Sequence, residues 1–161
     1  MPPVVRSQSI GRIFEETFHR VAPHFGVFVE DIPDGCTQRG RIIVRVKTPF
    51  DAILLNRRRE GRNLAFVDFK TIQGDRFTYS QIHAKPHQME ALGRFHRRGE
   101  LAGMLVWFRA EGTALAGLSG PITFFPFDTL ERLEERESLR FDQGLHLGSF
   151  AEPNFHRVFT I

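Results

Sequence analysis

The feature that most constrains this chain is the segment 64–71, a run of apolar and aromatic residues that two charges interrupt. Such a run, flanked by glycine and polar residues, is typical of a buried β-strand. Because strand side chains alternate between two faces, Asp68 and Lys70 share one face while Val67 and Phe69 occupy the other. A carboxylate and an ammonium are costly to bury unless they are paired or used in a site. The segment therefore predicts either a structural ion pair or a functional centre.

Lysine usage favours the functional alternative. Lysine stands only at positions 47, 70 and 85 among the 22 Lys and Arg residues. A lysine ammonium is a compact charge whose pKa the surroundings can shift, whereas an arginine guanidinium stays charged. A chain that avoids lysine elsewhere indicates that Lys70 supplies an ammonium where a guanidinium does not serve.

Length and composition predict a single domain over residues 1–161. A chain of 161 residues, 41% of them hydrophobic, is long enough to bury a core. The segment 140–161 is expected to form a C-terminal tail. Its phenylalanines pack either on the same domain or on a second copy of the chain, and the pattern leaves both open.

The sequence carries no run of about 20 apolar residues, and its first residues lack the apolar core of a signal peptide. The single cysteine, Cys36, allows no internal disulfide and agrees with a reducing compartment. We therefore expect a cytoplasmic protein, cellular or phage-encoded, with no membrane partner. The pI near 9.6 and the clustered arginines predict a polyanionic partner.

The first predicted elements are a helix and a hairpin. The helix runs from an N-cap at Ser9 to Ala22, with apolar residues along one face. Glu15 lies at the edge of that apolar stripe, although a solvated helix surface is its simpler explanation. The strand-like runs 26–30 and 41–47 are joined by turn residues, which predicts that they pair as a hairpin.

A second predicted hairpin contains both central acids. A short strand over 50–55 opens with a carboxylate, and a basic turn over 56–62 leads into the segment 64–71. Antiparallel pairing across this turn brings Asp51, near the start of one strand, within reach of Asp68, toward the far end of its partner.

The second half of the chain predicts a crossover. Pro86 suits the first turn of a helix over 86–98, and Gln88 lies near the positive end of its dipole. The apolar strand 101–108 follows, so strand, helix and strand predict a right-handed connection within a mixed sheet. We then expect a strand over 122–127 and a helix over 129–137 capped by Asp128.

These residues fit metal-assisted hydrolysis of phosphodiesters. Asp51 and Asp68 offer hard oxygen ligands for Mg²⁺ or Mn²⁺, with positions left for water and phosphate. Lys70 is suited to stabilising charge that develops on the phosphoryl group. Two acids and a lysine at this spacing also occur by chance. The candidate contacts to a DNA backbone are Arg57, Arg58, Arg59, Arg62, Lys85, Arg94, Arg97 and Arg98. An arginine run such as 57–59 also fits a solvated turn.

The order of motifs over residues 11–127 resembles the PD-(D/E)xK nucleases and, among them, the RecU-type and archaeal-type Holliday junction resolvases. The motifs are Gly11-x-x-Phe14-Glu15, Thr48-x-x-Asp51, Asp68-x-Lys70-Thr71, and His87-Gln88 before the apolar strand 103–108. Their combination is specific, whereas no single motif is.

The resemblance implies an α/β fold, a central mixed β-sheet flanked by helices as in restriction endonucleases. It implies a homodimer that cuts two opposed strands of a four-way junction with Mg²⁺, for which Mn²⁺ substitutes. Asp51 and Asp68 would be the metal ligands, Lys70 the catalytic lysine, Glu15 the helix acid and Gln88 a polar residue supporting metal, water or phosphate.

Two departures from the family keep alternatives open. Asp68 stands where the family often has Glu, and the segment 27–47 is shorter than the stalk of RecU-type enzymes. Junction selectivity must then rest on another surface or on a reduced hairpin near 31–41. The alternatives are a PD-(D/E)xK nuclease acting on flaps, ends or mismatches, and a junction-binding module without turnover.

Overall fold

The computed structural model describes residues 7–33, 35–39, 41–46, 48–58, 61–109 and 119–161. Its strands are β1 (Val27–Asp31), β2 (Gly35–Arg39), β3 (Ile42–Val46), β4 (Ala52–Asn56), β5 (Leu64–Gln73), β6 (Phe77–Thr78), β7 (Leu101–Arg109), β8 (Ile122–Pro126), β9 (Ser138–Leu139) and β10 (Leu145–His146). Its α-helices are α1 (Ser7–Val21), α2 (Tyr79–Ile82), α3 (Pro86–Arg97) and α4 (Phe127–Glu131). Short 3₁₀ helices span Ala22–Phe25, Phe141–Gln143 and Phe155–Thr160. Along these described ranges, no helix has the length and apolar character needed to cross a membrane.

The described residues form a six-stranded mixed sheet in the order β1-β4-β5-β7-β8-β10. Neighbouring strands are antiparallel except β5 and β7, which run parallel and are joined by the crossover through α3. Parallel strands need such a connection because a tight turn can join only antiparallel ones. The predicted α/β fold with a central mixed sheet flanked by helices is confirmed.

Alternation along β5 separates two hydrophobic layers. Val67 and Phe69 pack with α1, where the Phe69 ring lies 5.4 Å from that of Phe14. Phe66 and Ile72 pack with the apolar face of α3, which contributes Met89, Leu92 and their neighbours. Because both faces of β5 are covered, Asp68 in the middle of this strand is buried from water.

The first predicted hairpin is wrong in its pairing. β1 pairs with β4, so that Val27 lies opposite Asn56, and the run 42–46 pairs instead with β2 in a separate two-stranded sheet. The segment 35–39, assigned to no strand from its pattern, provides a partner much closer in sequence. Local pairing costs less chain entropy, and it leaves β1 to join the central sheet.

Two helix boundaries also differ from expectation. α1 begins at Ser7, so Ser9 lies inside the helix and is not its N-cap. α4 begins at Phe127 and ends at Glu131, well short of 137. Beyond it, the Glu137 carboxylate accepts a hydrogen bond from the main-chain N–H of Glu134, and this local bond replaces a helical turn.

The tail packs on the same chain. Phe155, Val158 and Phe159 are buried in the layer that contains α1. The main-chain N–H of Arg62 donates to the Phe159 carbonyl at 2.9 Å. Gly61 permits this approach, because its φ is +80° and a Cβ there would stand 2.4 Å from the same carbonyl oxygen.

We predict that Phe159→Ala lowers the free energy of unfolding by about 3–5 kcal/mol, the usual cost of deleting a buried phenyl ring. Ile161→Ala is the matched control, because that side chain is 45% exposed while Phe159 is 1% exposed. The control should change stability by about 0.5 kcal/mol or less. Urea denaturation measures both, and equal small effects would contradict a tail integrated in the core.

Candidate active site

The centre of the site is a buried carboxylate on β5 held by a lysine. Asp68 is 0% exposed, and its Oδ2 accepts a hydrogen bond from Lys70 Nζ. Lys70 also donates to Gln88 Oε1 at 3.0 Å, and its side chain is 17% exposed. Gln88 is buried in the first turn of α3. The ammonium is thus fixed between two acceptors and still reaches solvent.

Asp51 reaches the site through the hairpin of β4 and β5. The antiparallel pairing expected across the basic turn is present, with Ala52 opposite Val67. Just before β4, Asp51 donates its main-chain N–H to the Val67 carbonyl at 3.1 Å, and its Oδ2 accepts from the Phe69 N–H at 2.8 Å. The Asp51 side chain therefore adds one hydrogen bond to the pairing of β4 with β5, and this bond holds its carboxylate beside Asp68.

Burial dominates the electrostatics of Asp68. The pKa of its carboxyl is raised to about 7, mainly by loss of solvation and in addition by the neighbouring Asp51 carboxylate, while Lys70 opposes both. A proton therefore binds to this group at a pH where an exposed aspartate is ionised. A second cation near Asp68 would favour the ionised form.

Glu15 lies on α1, half-buried at the same end of the sheet. Burial raises the pKa of its carboxyl, and the nearby charges of Asp51 and Asp31 add to the effect. The structure therefore brings the predicted helix acid into electrostatic contact with Asp51.

Asp31 and His19 were missed from the sequence. Asp31 is the last residue of β1 and lies opposite Ala52, next to Asp51 in the chain. Its Oδ1 is 2.6 Å from His19 Nε2 on α1. Asp31 belonged to a predicted turn, and only the pairing of β1 with β4 carries it to the site. No local pattern marks that pairing.

The donor set fits a magnesium-like ion that keeps part of its water. Asp68 Oδ1 is buried and has no hydrogen-bond partner among the described residues, so this carboxylate oxygen can accept a ligand. Asp51 adds a second hard oxygen donor. Within the described residues, no group of three His, Cys, Asp or Glu side chains is arranged to hold a metal. Mg²⁺ is commonly bound by one or two carboxylates plus waters and substrate phosphate, which two aspartates satisfy.

The candidate DNA-binding arginines lie at the other end of the sheet. Arg57 and Arg58 follow Asn56, the last residue of β4, which lies about 17 Å from Asp51 at roughly 3.3 Å per strand residue. Arg57 stacks on Phe28 at 4.2 Å. Arg62 donates to the main-chain carbonyls of Gly99, at 2.6 Å, and Ile161, at 3.1 Å. Arg59 lies outside the described residues.

The cations of α3 divide between the two ends. Arg94, Arg97 and Arg98 are exposed at its C-terminal end, near the arginines of the basic turn. Lys85 precedes its first residue and lines a cavity together with Lys70. Among the candidate DNA contacts in the described residues, Lys85 is therefore the one placed beside the acids.

The chain was compared with protein families, curated proteins and solved structures. No family model matches the chain, and no curated protein matches it. Among solved structures, the chain is similar to Hjc, a Holliday junction resolvase of the archaeal hyperthermophile Archaeoglobus fulgidus, at 19% identity and a TM-score of 0.43. The match covers 84% of this chain and 93% of that chain. Because the TM-score is low, the case for a function rests on the side chains, and the RecU-type resemblance is not confirmed.

We predict that Asp68 makes stability depend on pH in the absence of metal. The pKa of its carboxyl is raised to about 7 from 3.8, so its contribution is fully present below about pH 4 and is lost as the pH rises through about 7. Asp68→Asn removes this titration. In EDTA, the stability of wild type relative to Asp68→Asn should fall between pH 4 and 7.5 in urea denaturation. A difference that stays constant or rises would contradict the raised pKa.

Proposed function

We propose that this chain is a metal-dependent, structure-selective endodeoxyribonuclease that resolves four-way (Holliday) DNA junctions during recombination and repair. The observation that carries the proposal is the buried Asp68, with one oxygen lacking a partner, between the Asp51 carboxylate and the fixed ammonium of Lys70. A structural ion pair would explain Lys70 and Asp68 but gives no reason to place a second carboxylate against the first.

The chain's own groups have distinct parts in phosphodiester hydrolysis. Mg²⁺, or Mn²⁺ in its place, would be held by Asp51 and Asp68 and would supply an activated water and charge neutralisation. Lys70 directs its ammonium toward the phosphoryl oxygen, where negative charge grows in the transition state. Gln88 keeps Lys70 in that orientation through their 3.0 Å bond. Glu15, whose raised pKa suits proton exchange, lies beside Asp51.

Resolution of a junction requires two cuts on opposed strands, and we propose that a homodimer supplies them. Two sites related by a two-fold axis match the symmetry of a four-way junction. The hairpin of β2 and β3 connects the end of β1 to the segment before β4, so it leaves the sheet on the side where Asp51 lies. We infer that this reduced hairpin takes the place of a longer stalk in selecting branched DNA. We expect a protein with this activity to be cytoplasmic.

The decisive experiment is cleavage of a labelled synthetic four-way junction beside linear duplex, flap and mismatch controls, in Mg²⁺, Mn²⁺ or EDTA. Wild type should make paired symmetric nicks on the junction in either metal, and Asp68→Ala should make none. Equal cutting of the controls would leave a nuclease without junction selectivity. Binding without cleavage in either metal would indicate a junction-binding module. Light scattering of the free protein tests the dimer.

We predict that Lys70→Ala lowers cleavage by about 100-fold or more, because a charge acting on the transition state contributes about 3 kcal/mol or more. Junction affinity in EDTA should stay within a few-fold, since one charge among many backbone contacts matters little to binding. Single-turnover cleavage and fluorescence anisotropy measure the two quantities. A large loss of affinity with unchanged thermal stability would instead assign Lys70 to binding.

The arginines of the basic turn are tested by salt dependence. Arg57→Glu combined with Arg58→Glu should weaken junction binding and flatten the slope of log affinity against log salt, by about one unit for each lost phosphate contact. Because these residues lie far from Asp51, the single-turnover rate at saturating protein should change little. An unchanged salt slope would remove the turn from the interface.

A further inference from the structure

A cavity of about 340 Å³ opens beside Lys70, between α1 and the segment from α2 to α3. Its floor is the part of β5 that extends beyond β4. β4 pairs with β5 only as far as Val67, whereas β7 pairs with it as far as Gln73. Among the described strands, none therefore pairs with this edge of β5 at the cavity, and we refer to it as the open edge.

The open edge presents hydrogen-bonding groups. The Val67 carbonyl and the Phe69 N–H both face the β4 side, where Asp51 binds them. Main-chain groups two residues apart face the same edge of a strand, so the N–H of Thr71 also faces this side. Thr71 lines the cavity, and its buried hydroxyl has no hydrogen-bond partner in the part of the chain that the structure describes. A buried hydroxyl without a partner is costly unless a ligand satisfies it.

The cavity is also cationic. Lys70 and Lys85, two of the three lysines in the sequence, both line the cavity. Lys85 is the residue before α3, whose first turn carries no acidic side chain and no side-chain cap. The positive end of this 12-residue helix therefore adds to the two ammonium charges. Glu15 is the acid in electrostatic contact with Lys85.

We propose that this cavity binds a second phosphate of the cut strand, adjacent to the phosphodiester that is cleaved. Lys85 and Thr71 hold that phosphate, and the apolar walls, which include Ile72 and Phe77, contact the sugar between the two phosphates. The inference rests on the proposed nuclease function and makes it more specific. The substrate is a strand with consecutive phosphates lying along the open edge of β5, and Lys85 positions it for Lys70.

The test uses four-way junctions in which a single methylphosphonate removes the charge of one phosphate next to the cleaved bond, on the 5′ or the 3′ side. At one of these positions, wild-type kcat/KM should fall by about 10- to 100-fold, the effect of losing a charged hydrogen bond. Lys85→Gln should lower kcat/KM on the natural junction by a similar factor. The same methylphosphonate should then slow Lys85→Gln by less than about threefold, because the partner charge is already lost.

Two further variants separate the subsite from general charge and from folding. Arg136→Gln removes an exposed cation outside the cavity. The methylphosphonate penalty, the factor by which the methylphosphonate lowers kcat/KM, should therefore be the same in this variant as in wild type. Thr71→Val removes the hydroxyl at nearly constant volume and should reduce the penalty less than Lys85→Gln does. If the losses from Lys85→Gln and from the methylphosphonate multiply, the two changes act independently and the proposal is overturned. A wild type that the methylphosphonate slows on neither the 5′ nor the 3′ side would also overturn it.

A binding measurement keeps the subsite testable without turnover. Thymidine 3′,5′-bisphosphate is titrated into the wild type in EDTA while amide resonances are followed by NMR. Shifts of the amide resonances of residues 71 and 85 in the wild type that are lost in Lys85→Gln support the subsite. Their absence overturns it. A wild type that cuts no DNA but shows these shifts would refute the proposed nuclease function alone.

Discussion

The register between β4 and β5 is the constraint on which the rest of the site depends. A shift of one residue would exchange the faces of β5 and move Asp68 and Lys70 into the phenylalanine layer against α1. The two bonds of Asp51, to the Val67 carbonyl and the Phe69 N–H, lock that register at its last position. The same residue that closes the ladder thus supplies the second carboxylate, so pairing and chemistry are determined together.

The buried charges are held in place by the elements that pack around them. β5 is covered on one face by α1 and on the other by α3, and β7 pairs with it along nine residues. There Lys70 neutralises part of the charge of Asp68, and the Gln88 side chain accepts a second hydrogen bond from the Lys70 ammonium. The remaining cost is visible in the raised pKa of Asp68. Carboxylates whose pKa is raised in this way cluster at functional sites, and a bound cation would lower the remaining cost.

The proposed site residues and the predicted DNA-binding arginines lie at different ends of the sheet. Glu15, Asp51, Asp68 and Lys85 lie at one end, and the exposed arginines of the basic turn and of the end of α3 lie at the other. A small phosphodiester would contact only the acidic end. A substrate that contacts both must extend along the strands, as an arm of branched DNA would.

Local sequence patterns were sufficient to predict the central strand, its hairpin with the strand after Asp51, the crossover through α3 and the placement of Lys70 and Asp68 on one face of the central strand. These features depend on alternation and on turns close in sequence, which a local pattern records. The tertiary structure alone decided that β1 joins β4 and brings Asp31 to Asp51, that the tail packs under α1, and that the arginines lie far from the acids. Each of these depends on contacts between residues distant in the chain, where several pairings satisfy the same apolar pattern and only the packed core selects one.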